Sequence, residues 1–198
     1  MRLFTQAPMP TSEALYTISP TNDSTLVIEI LKTGLLRRRK HHIFFEKFVG
    51  NLCYSAERPE ASKVSLTIES ASAVCRDQWL NKRKQASVTR YVRDRALQSS
   101  AHPTIQFVSR RIELKPLRGF VVEGELKILG VSRVIKVNVV LTPGRQESLQ
   151  VDGDTIIKLS DFGIQRPSSF FVLAGTQDDA LIRALVWAVP QARDRPRD

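Results

Sequence analysis

A chain of 198 residues with 42% hydrophobic and 25% charged positions holds enough apolar side chain for one compact domain and too little for two ordinary ones. The net charge of +10 points either to an anionic partner or to a basic face that serves solubility, and two cysteines exclude a disulfide scaffold. The most apolar C-terminal stretch, Phe170 to Pro190, is interrupted by Asp178, Asp179 and Arg183, which excludes a membrane-crossing helix there.

Residues 1–14 contain Pro8 and Pro10 and no apolar run of signal-peptide length. They read as a flexible segment ahead of a domain over 15–189, and the expected location is the cytoplasm, or the periplasm if a signal has been removed. From Tyr16 onward the main pattern is alternation of apolar and polar residues, the mark of strands with one buried face. Ser24 to Leu31 and Lys63 to Glu69 are strands of this kind. Residues 37–47, between them, hold Arg37, Arg38, Arg39, Lys40 and Lys47 against Glu46 alone. His41 and His42 are adjacent, so on a strand their side chains point to opposite faces, and no shared metal is expected. Cys53 and Cys75 read as reduced core thiols.

Asp77 to Leu97 lacks Gly and Pro and spaces its apolar residues by three and four, which predicts one or two amphipathic helices with Asp77 and Ser87 as candidate N-caps. Arg76, Lys82, Arg83, Lys84, Arg90, Arg93 and Arg95 make the region strongly basic. His102-Pro103 ends it. Strands follow at Ile105 to Leu114, Phe120 to Leu129, Arg133 to Leu141, Thr155 to Leu159 and Ser169 to Leu173. Gly119, Gly130, Pro143-Gly144 and Asp152-Gly153 punctuate them too closely to leave room for crossover helices. Asp179 to Val189 suits a helix by composition and a strand by alternation; we expect a strand that closes a barrel. Residues 190–198 read as a disordered tail.

The chain is therefore all-β, with about eight antiparallel strands in a closed barrel or a sandwich. The helical insert lies either across an open end or on the outside, and the pattern leaves both open. No nucleophile elbow, phosphate loop or dinucleotide fingerprint is present, and Asp161-Phe162-Gly163 lacks the other parts of a kinase site. Glu29, Glu69, Glu123 and Glu125 alternate with apolar residues and read as solvent-facing. No catalytic residue, metal or cofactor is expected. A barrel of this size is either filled by its side chains or leaves room for one ligand, and alternation does not separate the two.

Tyr16 to Ile18, Phe45 to Leu52, His102 to Ser109, Gly124 to Arg133 and Ser160 to Ile164 together resemble, in order and spacing, the motifs of the YceI-like family of polyisoprenoid-binding, lipocalin-like barrels. Phe45 to Leu52 is similar to its F-x-x-F-x-G-x-L signature, and His102 to Ser109 to its Y-P-x-I-x-F-x-S strand. Gly124 to Arg133 is similar to its G-x-L-x-I-x-G-V-x-[KR] hairpin. Ser160 to Ile164 resembles its D-F-G-I stretch, and Tyr16 to Ile18 its first strand. The chain departs from that pattern at Ser19-Pro20, at Ile43 and in its longer, more basic insert.

The resemblance implies an eight-stranded antiparallel lipocalin-like barrel with a helical insertion between strands. It also implies non-catalytic binding of an isoprenoid quinone or polyprenyl lipid, for storage, transport or sequestration, and a homodimer. The residues expected to face that ligand are Leu26, Ile28, Ile30, Phe45, Phe48, Leu66, Ile68, Trp79, Ile105, Phe107, Leu126, Ile128, Val137 and Phe162. The alternative is a basic nucleic-acid-binding or interaction module with a filled barrel.

Overall fold

The computed structural model describes residues 13–33, 36–116, 119–165 and 175–191. The strand expected at Ser169 to Leu173 and most of both terminal segments lie outside the described residues. Eleven strands form one antiparallel sheet: β1 (Ala14–Ile18), β2 (Thr25–Lys32), β3 (Lys40–Phe45), β4 (Phe48–Tyr54), β5 (Lys63–Glu69), β6 (Ala73–Cys75), β7 (Thr104–Leu114), β8 (Phe120–Ile128), β9 (Val131–Pro143), β10 (Leu149–Lys158) and β11 (Thr176–Pro190).

The eleven act as eight staves. Both β1 and β2 lie along β11, through Ile18↔Ala188 and Ile28↔Ile182. On their other side β1 pairs with β4 and β2 with β3. The β5–β6 pair repeats the pattern, with β5 against β4 and β6 against β3. Each of these three staves is one strand interrupted midway, and the β1–β11 pairing closes the barrel, which removes most of the free edge that an open sheet exposes.

The interruption at Glu46 and Lys47 explains how Phe45 and Phe48, an odd number of positions apart, are both buried. Gly50 follows because a Cβ there would lie 2.5 Å from the Ser65 carbonyl oxygen. The β8–β9 hairpin turns on Leu129 (φ 51°) and Gly130 (φ 77°), the paired left-handed conformations of a two-residue turn, and so joins Ile128 to Val131 in register.

The C-terminal segment is a strand, as expected, and at fifteen residues it spans the barrel from end to end. The insert contains a helix, α1 (Lys82–Tyr91), followed by a turn of π-helix at Val92–Ala96. Its N-cap is Asn81, whose side chain accepts the Lys84 amide at 2.9 Å; neither Asp77 nor Ser87 has that role. Asp77 is instead fully buried.

Helix α1 and the π-helical turn after it also cover the short edge that β6 presents. Thr89 Oγ1 accepts the Cys75 amide at 2.9 Å, and Arg93 Nε donates to the Ala73 carbonyl at 2.7 Å, so helix side chains take up the outward backbone groups of β6. The insert therefore sits at the barrel end where β6 ends and β7 begins.

Candidate functional site

The barrel is neither solid nor a wide tube. Its axis holds a cavity of about 170 Å³, lined by apolar side chains from every stave, with Ser62, Asp154 and Thr155 the polar exceptions apart from the Tyr54 hydroxyl. A void of that size accommodates a molecule like benzene, so a longer chain requires the lining side chains to change rotamer. Phe107 forms part of this wall because Gly124, on the neighbouring strand, makes room for it. A Cβ on Gly124 would come within 2.5 Å of the Phe107 Cζ.

A second cavity of about 540 Å³ lies between the barrel end and the insert. Its roof is one face of the insert: Leu80, Lys84, Ser87, Val88, Tyr91 and Val92, at helical spacing. The helix thus crosses the open end, which settles the alternative that the sequence left open. Ile28 and Phe45 line both cavities, so the two spaces share one wall. The charged lining residues of this mouth chamber are Lys32 and Lys84, joined by the titratable His41, and no Asp or Glu is among its described lining residues. Lys32 is buried, and burial lowers its pKa despite the opposing field of Asp77.

Of the residues expected from sequence, Leu26, Ile28, Phe45, Leu66, Ile68, Ile105, Phe107, Leu126, Ile128 and Val137 line the barrel cavity. Ile30 and Trp79 line the mouth chamber, together with Ile28 and Phe45. Phe48 and Phe162 line neither and are packed in the core. Phe162 is 1% exposed and belongs to a 3-10 turn, Leu159–Phe162, that Gly163 caps with φ 72°. The motif Ser160 to Ile164 therefore serves here to close a turn over the core. Glu29 departs from its solvent-facing expectation, since its carboxylate is largely covered and bridges Lys40 at 2.8 Å and Arg183 at 3.5 Å.

A polar knot under the mouth chamber was hidden by sequence spacing. The Asp77 carboxylate accepts a hydrogen bond from His41 Nδ1 at 2.5 Å and one from the His42 amide at 2.7 Å, and His42 Nδ1 lies 3.4 Å from it. Both histidines thus reach one carboxylate, contrary to the strand rule, because Asp77 sits just past the end of β6 beside them. The ligand atoms of His41, Cys75 and Asp77 lie within 4.8 Å of one another. Burial alone would raise the Asp77 pKa, but the hydrogen bonds from His41, the His42 amide and Cys75 outweigh it and lower it. Burial pushes the Cys75 thiol up to about 11. The knot's donors and acceptors are spent on one another, and they fix the insert's first residues to β3.

Comparison with known proteins places this geometry among similar folds. The profile of the YceI-like domain matches residues 16–184. Two UPF0312 proteins of Pseudomonas putida, from strains W619 and GB-1, are each 26% identical over 139 residues, covering 65% of this chain. The chain spans 66% of the length of those relatives, just under two thirds. The crystal structure of Burkholderia cenocepacia BcnA superposes with a TM-score of 0.67 at 19% identity, over 84% of this chain and 96% of BcnA. A polyisoprenoid binding domain from Saccharophagus degradans gives 0.62 at 12% identity, over 88% and 98% of the two chains. The Campylobacter jejuni YCEI protein gives 0.55 at 18%, over 76% and 85%.

Proposed function

The chain belongs to the YceI-like family, and on that premise we propose that it holds one amphiphile of the isoprenoid class, its chain in the barrel and its head in the mouth chamber. The observation that carries this reading is the shared wall at Ile28 and Phe45, which sets a carbon-lined cavity directly beneath a chamber with polar groups. Transfer of each CH₂ from water into the barrel favours binding by about 0.8 kcal/mol before ordering costs. A solved fold relative is described as a polyisoprenoid binding domain, which agrees with the ligand class.

The role is storage, transport or sequestration without chemistry. Cys75 is the thiol beside a histidine, and with its pKa at about 11 it carries no thiolate at neutral pH. Titration with a fluorescent polyprenyl probe tests the reading. Phe107→Asp should abolish uptake while the variant remains folded, and the affinity of the parent for a neutral probe should hold steady between about 50 and 200 mM salt. Binding of duplex DNA whose affinity falls steeply over that range, with no uptake of the probe, would favour the nucleic-acid alternative. Unchanged uptake by folded Phe107→Asp would remove the barrel cavity from the site.

A further inference from the structure

The fold brings the two basic segments together at one place. Leu36 and Lys84 both line the mouth chamber and are both exposed, so they stand at its rim. Arg37, Arg38 and Arg39 follow Leu36 in the chain and Arg83 precedes Lys84, all exposed; Lys82, also exposed, lies on another side of the helix, in a shallow cleft with Gln85, Arg90 and Arg93. Trp79 joins the two lips, since its Nε1 donates to the Lys40 carbonyl at 2.9 Å and the Arg39 guanidinium lies 5.9 Å from the centre of its rings. Among the described residues none of these six cations pairs with a carboxylate.

Their placement on the helix works against its stability. Lys82, Arg83 and Lys84 occupy the first turn of α1, where the exposed amides and the helix dipole favour Asp or Glu, and no acidic residue stands there. A local preference broken three times without a compensating partner marks a surface selected for something other than folding.

We propose that this rim docks on an anionic lipid surface, with Leu36 among the cations meeting the bilayer and the chamber mouth facing the membrane from which its ligand comes. The inference rests on the carrier reading above. A bilayer fits better than a nucleic acid because Arg39 and Lys84, with the exposed Leu36, stand at the opening of a chamber lined mainly by apolar side chains, whereas a nucleic-acid surface needs a groove or stripe that follows a phosphate backbone.

Co-sedimentation of the full chain with vesicles tests it. Binding to vesicles of phosphatidylcholine with about a quarter phosphatidylglycerol should be at least about tenfold tighter than to phosphatidylcholine alone, since each basic residue near such a surface contributes roughly fivefold. The double variant Arg38→Glu, Arg83→Glu should lose more than about tenfold of that affinity. The double variant Lys115→Glu, Arg145→Glu, in turns at the opposite end of the barrel, should stay close to the parent. Arg38→Gln with Arg83→Gln, which removes charge without reversing it, should fall between. Equal binding to both vesicle types, an unaffected Arg38→Glu, Arg83→Glu variant, or displacement from the vesicles by duplex DNA would overturn the proposal. Vesicle binding reads the rim and organic extraction of bound lipid reads the cavities, so the docking surface and the carrier reading fail separately.

Discussion

Ile28 and Phe45 stand on adjacent strands, β2 and β3, and form the partition between the barrel cavity and the mouth chamber. They are the two lining residues that the cavities have in common, so an alkyl chain that reaches from chamber to barrel lies against them. Ile28→Trp should fill the passage at a cost of about 1–3 kcal/mol of stability. Uptake of a polyprenyl probe should fall at least tenfold. Phe45→Ala should open the passage and speed probe dissociation in stopped-flow displacement, while costing about 3–5 kcal/mol for the lost ring.

The contact between Phe107 and Gly124 gives a second test. Gly124→Ala places a methyl against the Phe107 ring and against the Val108 carbonyl oxygen, 2.7 Å from the new Cβ. We expect a loss of about 1–3 kcal/mol in urea unfolding. Adding Phe107→Ala should return part of the loss attributable to the ring, as a favourable coupling in a double-mutant cycle, because the carbonyl clash remains.

The Asp77 knot predicts an acid limb. Its carboxyl is lowered in the folded state, so the unfolded chain binds the proton more readily. The resulting stability is fully present above the ordinary carboxylate value of about 3.9 and is lost as pH falls through the lower folded value. Asp77→Asn should flatten the fall of Tm in that range. It should also destabilise the chain by about 3 kcal/mol at neutral pH, by leaving the partners of a buried charge without it.

Cys75 predicts an alkaline limb of the opposite sign. With its thiol raised to about 11, the folded chain holds a proton that the unfolded chain releases near pH 8.5 to 9, so stability declines as pH rises from about 9 toward 11. At pH 8, iodoacetamide should leave Cys75 unmodified in the folded chain and label it after unfolding, as read by peptide mass spectrometry.

Much of the barrel was legible because alternation is a local signal. Lys63–Glu69 has the same limits in sequence and structure, and the ambiguous C-terminal segment resolved as a strand because β10 and β2 both needed a partner. The cavities were not legible, since Leu126 or Val137 would alternate in the same way in a filled core. Phe48 and Phe162 carried family motifs whose work in this chain is packing. The knot was invisible because Asp77 meets His41 only through the β3–β6 pairing, and an adjacent histidine pair read by strand geometry alone points apart. Nor could sequence show that two basic segments, some forty residues apart, become the two lips of one opening.

The measurement that bears most directly on the account is organic extraction of the purified chain followed by mass spectrometry of the extract. We predict one isoprenoid amphiphile per chain, and its loss from Ile28→Trp. An extract free of lipid, from a folded chain that also fails to take up a polyprenyl probe, would contradict the carrier function and leave the barrel as a scaffold for another role.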